Sequence, residues 1–191
     1  MSTNVGADPH AGTSPKAPRS IVLVGLPGAG KSTVGALVAE RLGWPCIDVD
    51  REIERAAGRT IRALFAESGE ATFRARERRL TAELAPPEGP PVVLVPGGGW
   101  IEDPGHRARF GVSLQAFYLA VSPVVAVRRM GATVADRPLL QGADPAESVR
   151  SLLRRREDLY LQSNHVVSTD SMGADEVATL IVALALGQRP D

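Results

Sequence analysis

The sequence predicts an α/β fold in which helices cover both faces of a parallel sheet. Short apolar runs, often β-branched, alternate along the chain with longer segments whose apolar residues recur at helical spacing. Such runs are typical of strands buried on both faces, and crossover helices between parallel strands provide that cover. The five predicted strands are residues 21–24, 46–49, 92–95, 116–121 and 166–167.

The segments between these strands carry the helical patterns. A helix is expected from Lys31 to Gly43, and the charged segment 51–84 is expected to form two or three helices separated near Gly58 and Gly69, because glycine interrupts helices. Further helices are expected at 123–130, in the arginine-rich segment that ends near Tyr160, and at 174–186.

Length and composition favour one domain with a tail. The 191 residues are 43% apolar, which is enough for one sizeable core. Residues 1–19 are rich in Ser, Thr, Gly, Pro and Ala and contain almost nothing that a core would bury. We therefore expect a disordered tail over 1–19 and a single domain over 20–188.

The charge balance gives no sign of a nucleic-acid or membrane partner. The 22 basic and 22 acidic residues cancel, and no run approaches the roughly 18 apolar residues of a membrane span. The single cysteine, Cys46, excludes an internal disulfide and is interpreted as a small core residue. We expect a cytoplasmic protein and, without a heptad pattern, a monomer.

A glycine-rich motif stands between the first strand and the first helix. Residues 25–33, GLPGAGKST, match the phosphate-binding pattern G-x-x-x-x-G-K-[ST] in the context that it requires. Lys31 would contact the β- and γ-phosphates of ATP, and Ser32 would ligate Mg²⁺. The alternative is a glycine-rich turn with an incidental lysine, although Lys16 is the only other lysine. The candidate nucleotide-binding residues here are Gly28, Ala29, Gly30, Lys31, Ser32 and Thr33.

Two further groups follow the next predicted strands, whose carboxyl ends share one edge of the sheet. One of Asp48 and Asp50 could support the Mg²⁺ shell and the other could accept a substrate proton; alternatively, Asp50 is a helix N-cap and Asp48 a solvated charge. The run Gly97–Gly99 indicates a close approach to the backbone, or else a tight turn into a helix near Pro104.

Most of the arginines are expected to face solvent. They are concentrated near Arg74 and at 154–156, where two of the three would be exposed. Arg137 differs, because it lies in an aperiodic, glycine-flanked stretch that could close over a nucleotide.

Over residues 20–186 these motifs, in this order, resemble the shikimate kinase family of P-loop proteins. The matches are GLPGAGKST, Asp48–Asp50, Phe73-Arg74 with Glu77, Gly97–Gly99, Arg137-Pro138-Leu139-Leu140, and Arg156 shortly before Leu159-Tyr160. The resemblance implies a three-layer α/β/α P-loop kinase with a five-stranded parallel sheet and a mobile lid at about 131–145. The implied reaction is transfer of the ATP γ-phosphate to the 3-hydroxyl of shikimate, with Mg²⁺, in aromatic amino acid biosynthesis.

The resemblance also implies residue roles. Lys31, Asp50 and Arg137 would be catalytic, with Asp50 also holding shikimate hydroxyls, and Asp48 would support Mg²⁺ with Ser32. The other implied contacts are Arg74, Arg156 and Gly97, Gly98 and Gly99 to shikimate, and Arg129 and Arg137 to the nucleotide.

The sequence departs from the family pattern at several positions. Trp100 stands where a small or aliphatic residue is usual, which predicts a changed pocket edge, and Asp158 and residues 161–164 also differ. His10, His106 and His165 have no ligand spacing and are expected to be structural or surface residues. The competing interpretations are a kinase of another hydroxy acid, such as gluconate, and a non-catalytic metabolite sensor.

Overall fold

The computed structural model describes residues 20–131 and 144–188, which form a parallel sheet flanked by α-helices. The strands are β1 (Ile21–Val24), β2 (Cys46–Asp48), β3 (Val93–Val95), β4 (Gln115–Ala120) and β5 (His165–Ser168). The helices are α1 (Lys31–Leu42), α2 (Val49–Ala57), α3 (Ile61–Leu84), α4 (Pro104–Arg107), α5 (Pro123–Met130), α6 (Pro145–Tyr160) and α7 (Ala174–Ala185), with a 3₁₀ helix at Trp100–Glu102.

The sheet has five strands in the order β2-β3-β1-β4-β5, and every neighbouring pair is parallel. The central strand β1 is almost fully buried, with Ile21 paired to Val93 on one side and to Gln115 on the other. The predicted strands are thus confirmed, with no end displaced by more than one residue. All strand carboxyl ends lie at one edge, so the loops after them share one rim.

Contacts of helices with β1 and with its neighbour β4 show that helices cover both faces of the sheet. Gly35 of α1 approaches the β1–β3 face so closely that a Cβ there would lie 3.5 Å from Leu23. Tyr118 of β4 is paired with Val24, the next residue along β1, and stacks on Tyr160 of α6 with ring centroids 4.9 Å apart. Because successive residues of a strand face opposite sides, α1 and α6 lie on opposite faces. The three-layer α/β/α prediction is confirmed.

The predicted helix breaks also occur. Gly43 and Gly58 follow α1 and α2 in the left-handed conformation, with φ of 66° and 63°, where glycine avoids the strain of a Cβ. Gly69, with φ 74° and ψ 170°, interrupts the helical dihedral angles within α3 and leaves a kink. The segment 51–84 therefore contributes to α2 and to a kinked α3.

The expectation that Cys46 is a core residue is wrong. Cys46 is exposed, because β2 is an edge strand of three residues and none of them is fully buried. An apolar run in the sequence does not reveal whether its strand is central or at an edge.

The expectations of an N-terminal tail and of a lid concern segments that the structure largely does not describe. The predicted tail, and the predicted lid except for its ends, lie outside the described residues, and so does Arg137. No helix within 20–131 or 144–188 has the length and apolar character needed to cross a membrane.

Candidate active site

A cleft of about 690 Å³ opens at the carboxyl ends of the strands. It brings together groups that follow β1, β2, β3 and β5 and that are far apart in the sequence. Its lining includes these predicted site residues: Gly28, Ala29, Gly30, Lys31, Ser32, Thr33, Asp48, Asp50, Gly97, Gly98 and Arg129. Arg74, Gly99 and Arg156 do not line it but adjoin its Gly97–Gly98 wall, as the contacts described below show.

The glycine-rich loop wraps around the Lys31 side chain. Lys31 Nζ donates to the carbonyl oxygens of Gly25 at 2.9 Å and Leu26 at 3.1 Å. Helix α1 begins after Gly30, which has φ 90° and supplies no side-chain cap, so the N–H groups of its first turn face the cleft without a side-chain acceptor. Such a helix terminus favours an anion, and the arrangement fits a polyphosphate.

The loop and the end of β2 are joined through Ser32 and Asp48. Ser32 Oγ donates to Asp48 Oδ2 at 2.9 Å, while Asp48 Oδ1 accepts from the backbone N–H of Arg51 at 3.2 Å and caps α2. The N-cap is therefore Asp48, so the alternative in which Asp50 caps the helix is wrong.

The paired oxygens of Ser32 and Asp48 fit a Mg²⁺ ion in chemical type, because Mg²⁺ prefers hard oxygen ligands. In the part of the chain that the structure describes, three or more His, Cys, Asp or Glu side chains nowhere converge to hold a metal. This agrees with a metal held by one or two protein oxygens and by substrate phosphates.

Asp50 lies in the first turn of α2 and faces Gly97 together with Glu77 of α3. A Cβ built on Gly97 would stand 2.9 Å from Asp50 Oδ1 and 3.3 Å from Glu77 Oε1. Two carboxylates thus converge where the loop after β3 begins. This convergence requires glycine at 97.

The next two glycines face the two predicted carboxylate-binding arginines. A Cβ on Gly98 would lie 3.4 Å from Arg156 Nη1, and a Cβ on Gly99 would overlap the Arg74 guanidinium. The same loop makes a tight turn, since the N–H of Trp100 donates to the Gly97 carbonyl at 3.1 Å. The close approach and the turn therefore both occur, and the groups that approach are the protein's own side chains.

Arg74 is held by carboxylates of its own helix. Its Nη1 donates to Glu77 Oε2 at 2.7 Å, and its Nη2 donates to Glu70 Oε1 at 3.2 Å. Glu77 is only 1% exposed, and burial raises its pKa to about 7, an effect opposed by Arg74 and reinforced by Asp50. Glu77 Oε1 has no hydrogen-bond partner among the described residues.

Arg156 is the buried member of its arginine cluster. It is 1% exposed, whereas the side chain of Arg154 is 64% exposed and Arg155 is also exposed, as the sequence predicted for two of the three. Arg156 Nε donates to Glu102 Oε1 at 2.6 Å. Nearby, Tyr160 Oη donates to the Gly98 carbonyl at 2.8 Å.

Trp100 does not form a pocket edge, so that expectation is wrong. Its side chain is fully buried, stacks on His106 with centroids 4.1 Å apart, and donates from Nε1 to Thr81 Oγ1 at 3.2 Å. The large ring thus extends from the 3₁₀ helix and packs against α3 and α4. His106 and His165 are structural, as expected, since His165 stacks on Phe117 at 4.7 Å.

Sequence reasoning missed cleft-lining residues that follow β5. Arg129 donates to the side-chain and backbone oxygens of Thr169, and both residues line the cleft with Met172. The strand-end rule that identified Asp48 and Gly97 would have identified Thr169, which directly follows β5. Arg51 also lines the cleft, and no signal in the sequence distinguishes it from its arginine-rich surroundings.

Comparison with known proteins decides the family. A family model described as "Shikimate kinase" matches residues 27–185, most of the chain.

The chain belongs to the shikimate kinase family.

Individual members of the shikimate kinase family match over nearly their full length. The chain is 42% identical to the shikimate kinase of Paracidovorax citrulli over 167 residues, covering 87% of this chain and 90% of that protein. It is 44% identical to the Streptomyces avermitilis shikimate kinase over 164 residues, covering 85% and 92% respectively.

Solved structures of shikimate kinases share the fold. The Acinetobacter baumannii enzyme in complex with shikimate is 36% identical, with a TM-score of 0.82 over 89% of this chain and 94% of that one. The Bacteroides thetaiotaomicron enzyme is 31% identical, with a TM-score of 0.76 over 86% and 97%. The resemblance inferred from the ordered motifs is therefore confirmed.

Proposed function

We propose that the chain transfers the γ-phosphate of ATP to the 3-hydroxyl of shikimate and forms shikimate 3-phosphate, a step in aromatic amino acid biosynthesis. One observation carries the proposal at the level of the site: the three consecutive glycines 97–99 face Asp50, Arg156 and Arg74 in turn. Two guanidinium groups and a carboxylate thus adjoin the phosphate-binding loop, an arrangement that suits an acceptor with one carboxylate and several hydroxyls.

The nucleotide end of the cleft is assigned to the glycine-rich loop. The backbone N–H groups of residues 28–33 and the Lys31 ammonium would surround the phosphates, and Lys31 is close to them because two loop carbonyls orient it. Arg129 and Thr169 would lie beside the rest of the nucleotide at the far end of the cleft.

Ser32 and Asp48 would hold the magnesium ion that accompanies ATP. When bound, Mg²⁺ neutralises charge on the phosphates during transfer. Asp48 can serve it without losing its cap on α2, because its two carboxylate oxygens are directed to different partners.

The acceptor end is assigned to Arg74, Arg156 and Asp50. The planar fork of an arginine pairs with a carboxylate through two parallel hydrogen bonds, which fixes the orientation of the acceptor. Asp50, directed at Gly97, would hold a hydroxyl of the acceptor and take its proton as the new O–P bond forms. Arg137 remains predicted from sequence as the lid arginine that contacts the transferring phosphate.

Catalysis in this site would depend mainly on positioning. The protein would align the acceptor hydroxyl with the γ-phosphate and neutralise charge, which are the main contributions in phosphoryl transfer.

ADP release tests the proposal. Purified protein with Mg-ATP is incubated with shikimate, quinate, gluconate or no acceptor. We expect release only with shikimate. Release with gluconate instead would identify a different acceptor, and tight ATP binding without acceptor-dependent release would identify a sensor.

A further inference from the structure

We propose that Glu102 is the positioning residue for Arg156 and thereby sets the affinity for the acceptor carboxylate. The proposal deepens, and rests on, the assignment of Arg156 to the acceptor site. Glu102 ends the 3₁₀ helix that follows Gly97–Gly99 and reaches across to α6, where Arg156 lies.

The contact is a short, charge-assisted hydrogen bond from a buried guanidinium. Arg156 Nε donates to Glu102 Oε1 at 2.6 Å, and the side chains are 2% and 43% exposed. A buried guanidinium requires a charge partner, because desolvation of an uncompensated charge is unfavourable. Glu102 provides that partner before any acceptor arrives.

One terminal nitrogen of the guanidinium is left for a ligand. Arg156 Nη2 is buried and has no hydrogen-bond partner within the described residues, and Nη1 faces Gly98. Because Glu102 binds Nε, it fixes the plane of the guanidinium, which also interacts with the Tyr160 side chain, while Nη2 stays available for a second carboxylate. Glu102 thus selects one orientation of Arg156 out of the several that its long side chain allows.

Glu102 is itself held by a hydrogen bond to the loop Gly97–Gly99. Its backbone N–H donates to the Gly99 carbonyl at 3.0 Å, and the Trp100 side chain beside it is bonded to Thr81 of α3. The ion pair therefore fixes the position of Arg156 in α6 relative to the loop Gly97–Gly99, which also faces Asp50 and Arg74. The buried Trp100 therefore also has a structural role, since it anchors the 3₁₀ helix that carries Glu102.

Loss of the Glu102 side chain leaves other links between the loop and α6. Tyr160 Oη still donates to the Gly98 carbonyl at 2.8 Å, and the Tyr160 ring still stacks on Tyr118. A Glu102→Ala variant should therefore fold, although with lower stability because the buried Arg156 loses its charge partner, and its further effect should appear in acceptor binding.

The test compares Glu102→Ala and Glu102→Gln with wild type, with Glu83→Ala as a matched control. Glu83 accepts from Arg79 Nε at 2.8 Å in an exposed pair outside the cleft. For Glu102→Ala we expect the KM for shikimate to rise about tenfold or more, the loss typical of a charge-assisted hydrogen bond, with kcat and the KM for ATP within about twofold. Glu102→Gln keeps an oxygen acceptor and should stay within about threefold of wild type.

A second acceptor separates positioning from general damage. With the carboxamide of shikimate, which has no charged carboxylate, Glu102→Ala and wild type should differ by less than about threefold. Equal losses with both acceptors, an unchanged KM for shikimate, or tighter shikimate binding by Glu102→Gln would each overturn the inference. If the wild type itself releases no ADP with shikimate, the proposed function fails, and this inference fails with it.

Discussion

Ser32 Oγ donates a hydrogen bond to Asp48 Oδ2 at 2.9 Å and so joins the loop after β1 to the end of β2. The two residues are 16 positions apart, and β3 separates their strands in the sheet. They meet because both follow the carboxyl ends of parallel strands. The pair places two hard oxygen atoms beside the phosphate-binding loop, and this position determines what a change at Asp48 should do.

Asp48→Asn should raise the Mg²⁺ concentration needed for half-maximal turnover by about tenfold or more, because the amide lacks the negative charge that attracts the ion. Its side-chain oxygen can still cap α2, so thermal stability should change little. A magnesium titration of ADP release measures the effect. Asp48→Ala, which also loses the cap, should additionally lose about 1 kcal/mol of stability; an unchanged magnesium requirement in both variants would contradict the assignment.

Asp50→Asn should lower kcat by about 10²-fold or more, the range typical of a lost general base. Nucleotide affinity should remain nearly unchanged, since Asp50 faces Gly97 beside Glu77, in the part of the cleft that we assign to the acceptor. Steady-state kinetics and displacement of a fluorescent nucleotide measure the two quantities. Weakened ATP binding with normal turnover of shikimate would be incompatible with the role of Asp50.

Gly99→Ala should raise the KM for shikimate while the protein remains folded. The backbone at Gly99 has φ −88° and ψ −8°, which alanine adopts readily, but the added Cβ would overlap the Arg74 guanidinium and displace it. The KM for ATP should stay within about twofold, because we assign Arg74 to the acceptor and not to the nucleotide. Arg74→Lys should likewise impair acceptor binding, since lysine cannot form the bidentate pair. Equal losses for ATP and shikimate in Gly99→Ala would show that the whole loop had moved.

Glu77 should make the folded state lose stability as the pH rises. Its pKa is raised by burial from 4.5 to about 7, so the folded state binds more protons than the unfolded state between these values. Its contribution to stability is fully present below pH 4.5 and is lost as the pH rises through about 7, by at most about 3 kcal/mol. Urea unfolding of wild type and Glu77→Gln at pH 5 and pH 8 measures this difference, which should be larger in the wild type.

His106 provides an internal control of opposite sign. Burial lowers its pKa from 6.5 to about 4, so its contribution is present above pH 6.5 and is lost as the pH falls toward 4. His106→Gln should therefore flatten the acid side of the stability profile, whereas Glu77→Gln should flatten the side that falls with rising pH. The same change of slope in both variants would contradict the two pKa directions.

The parts of the fold that local patterns determine could be predicted from the sequence. The five strands, the glycine-rich loop before α1 and the break at Gly58 depend on residues close together in the chain, and all are confirmed. The exposure of Cys46 depends on the place of β2 in the strand order, which local residues do not encode.

The candidate site likewise has features that local sequence predicts and features that depend on the packing of distant segments. The loop after β1 and the aspartates after β2 follow from the strand-end rule. The electrostatic interaction of Glu77 with Asp50 and the hydrogen bond of Arg156 to Glu102, in contrast, join distant segments. Glu77 was part of a recognised motif, but its burial and raised pKa follow only from the packing of α3 under Gly97. The direction of Trp100, into the core and away from the cleft, likewise depends on Thr81 and His106.

Identification of the product after incubation with Mg-ATP and shikimate tests the central claim most directly. Phosphorus–proton NMR of the purified product should show a single phosphate coupled to the proton on carbon 3 of shikimate, with one equivalent of ADP formed per product. A phosphate on another hydroxyl, or ADP formed with inorganic phosphate and unmodified shikimate, would contradict the account.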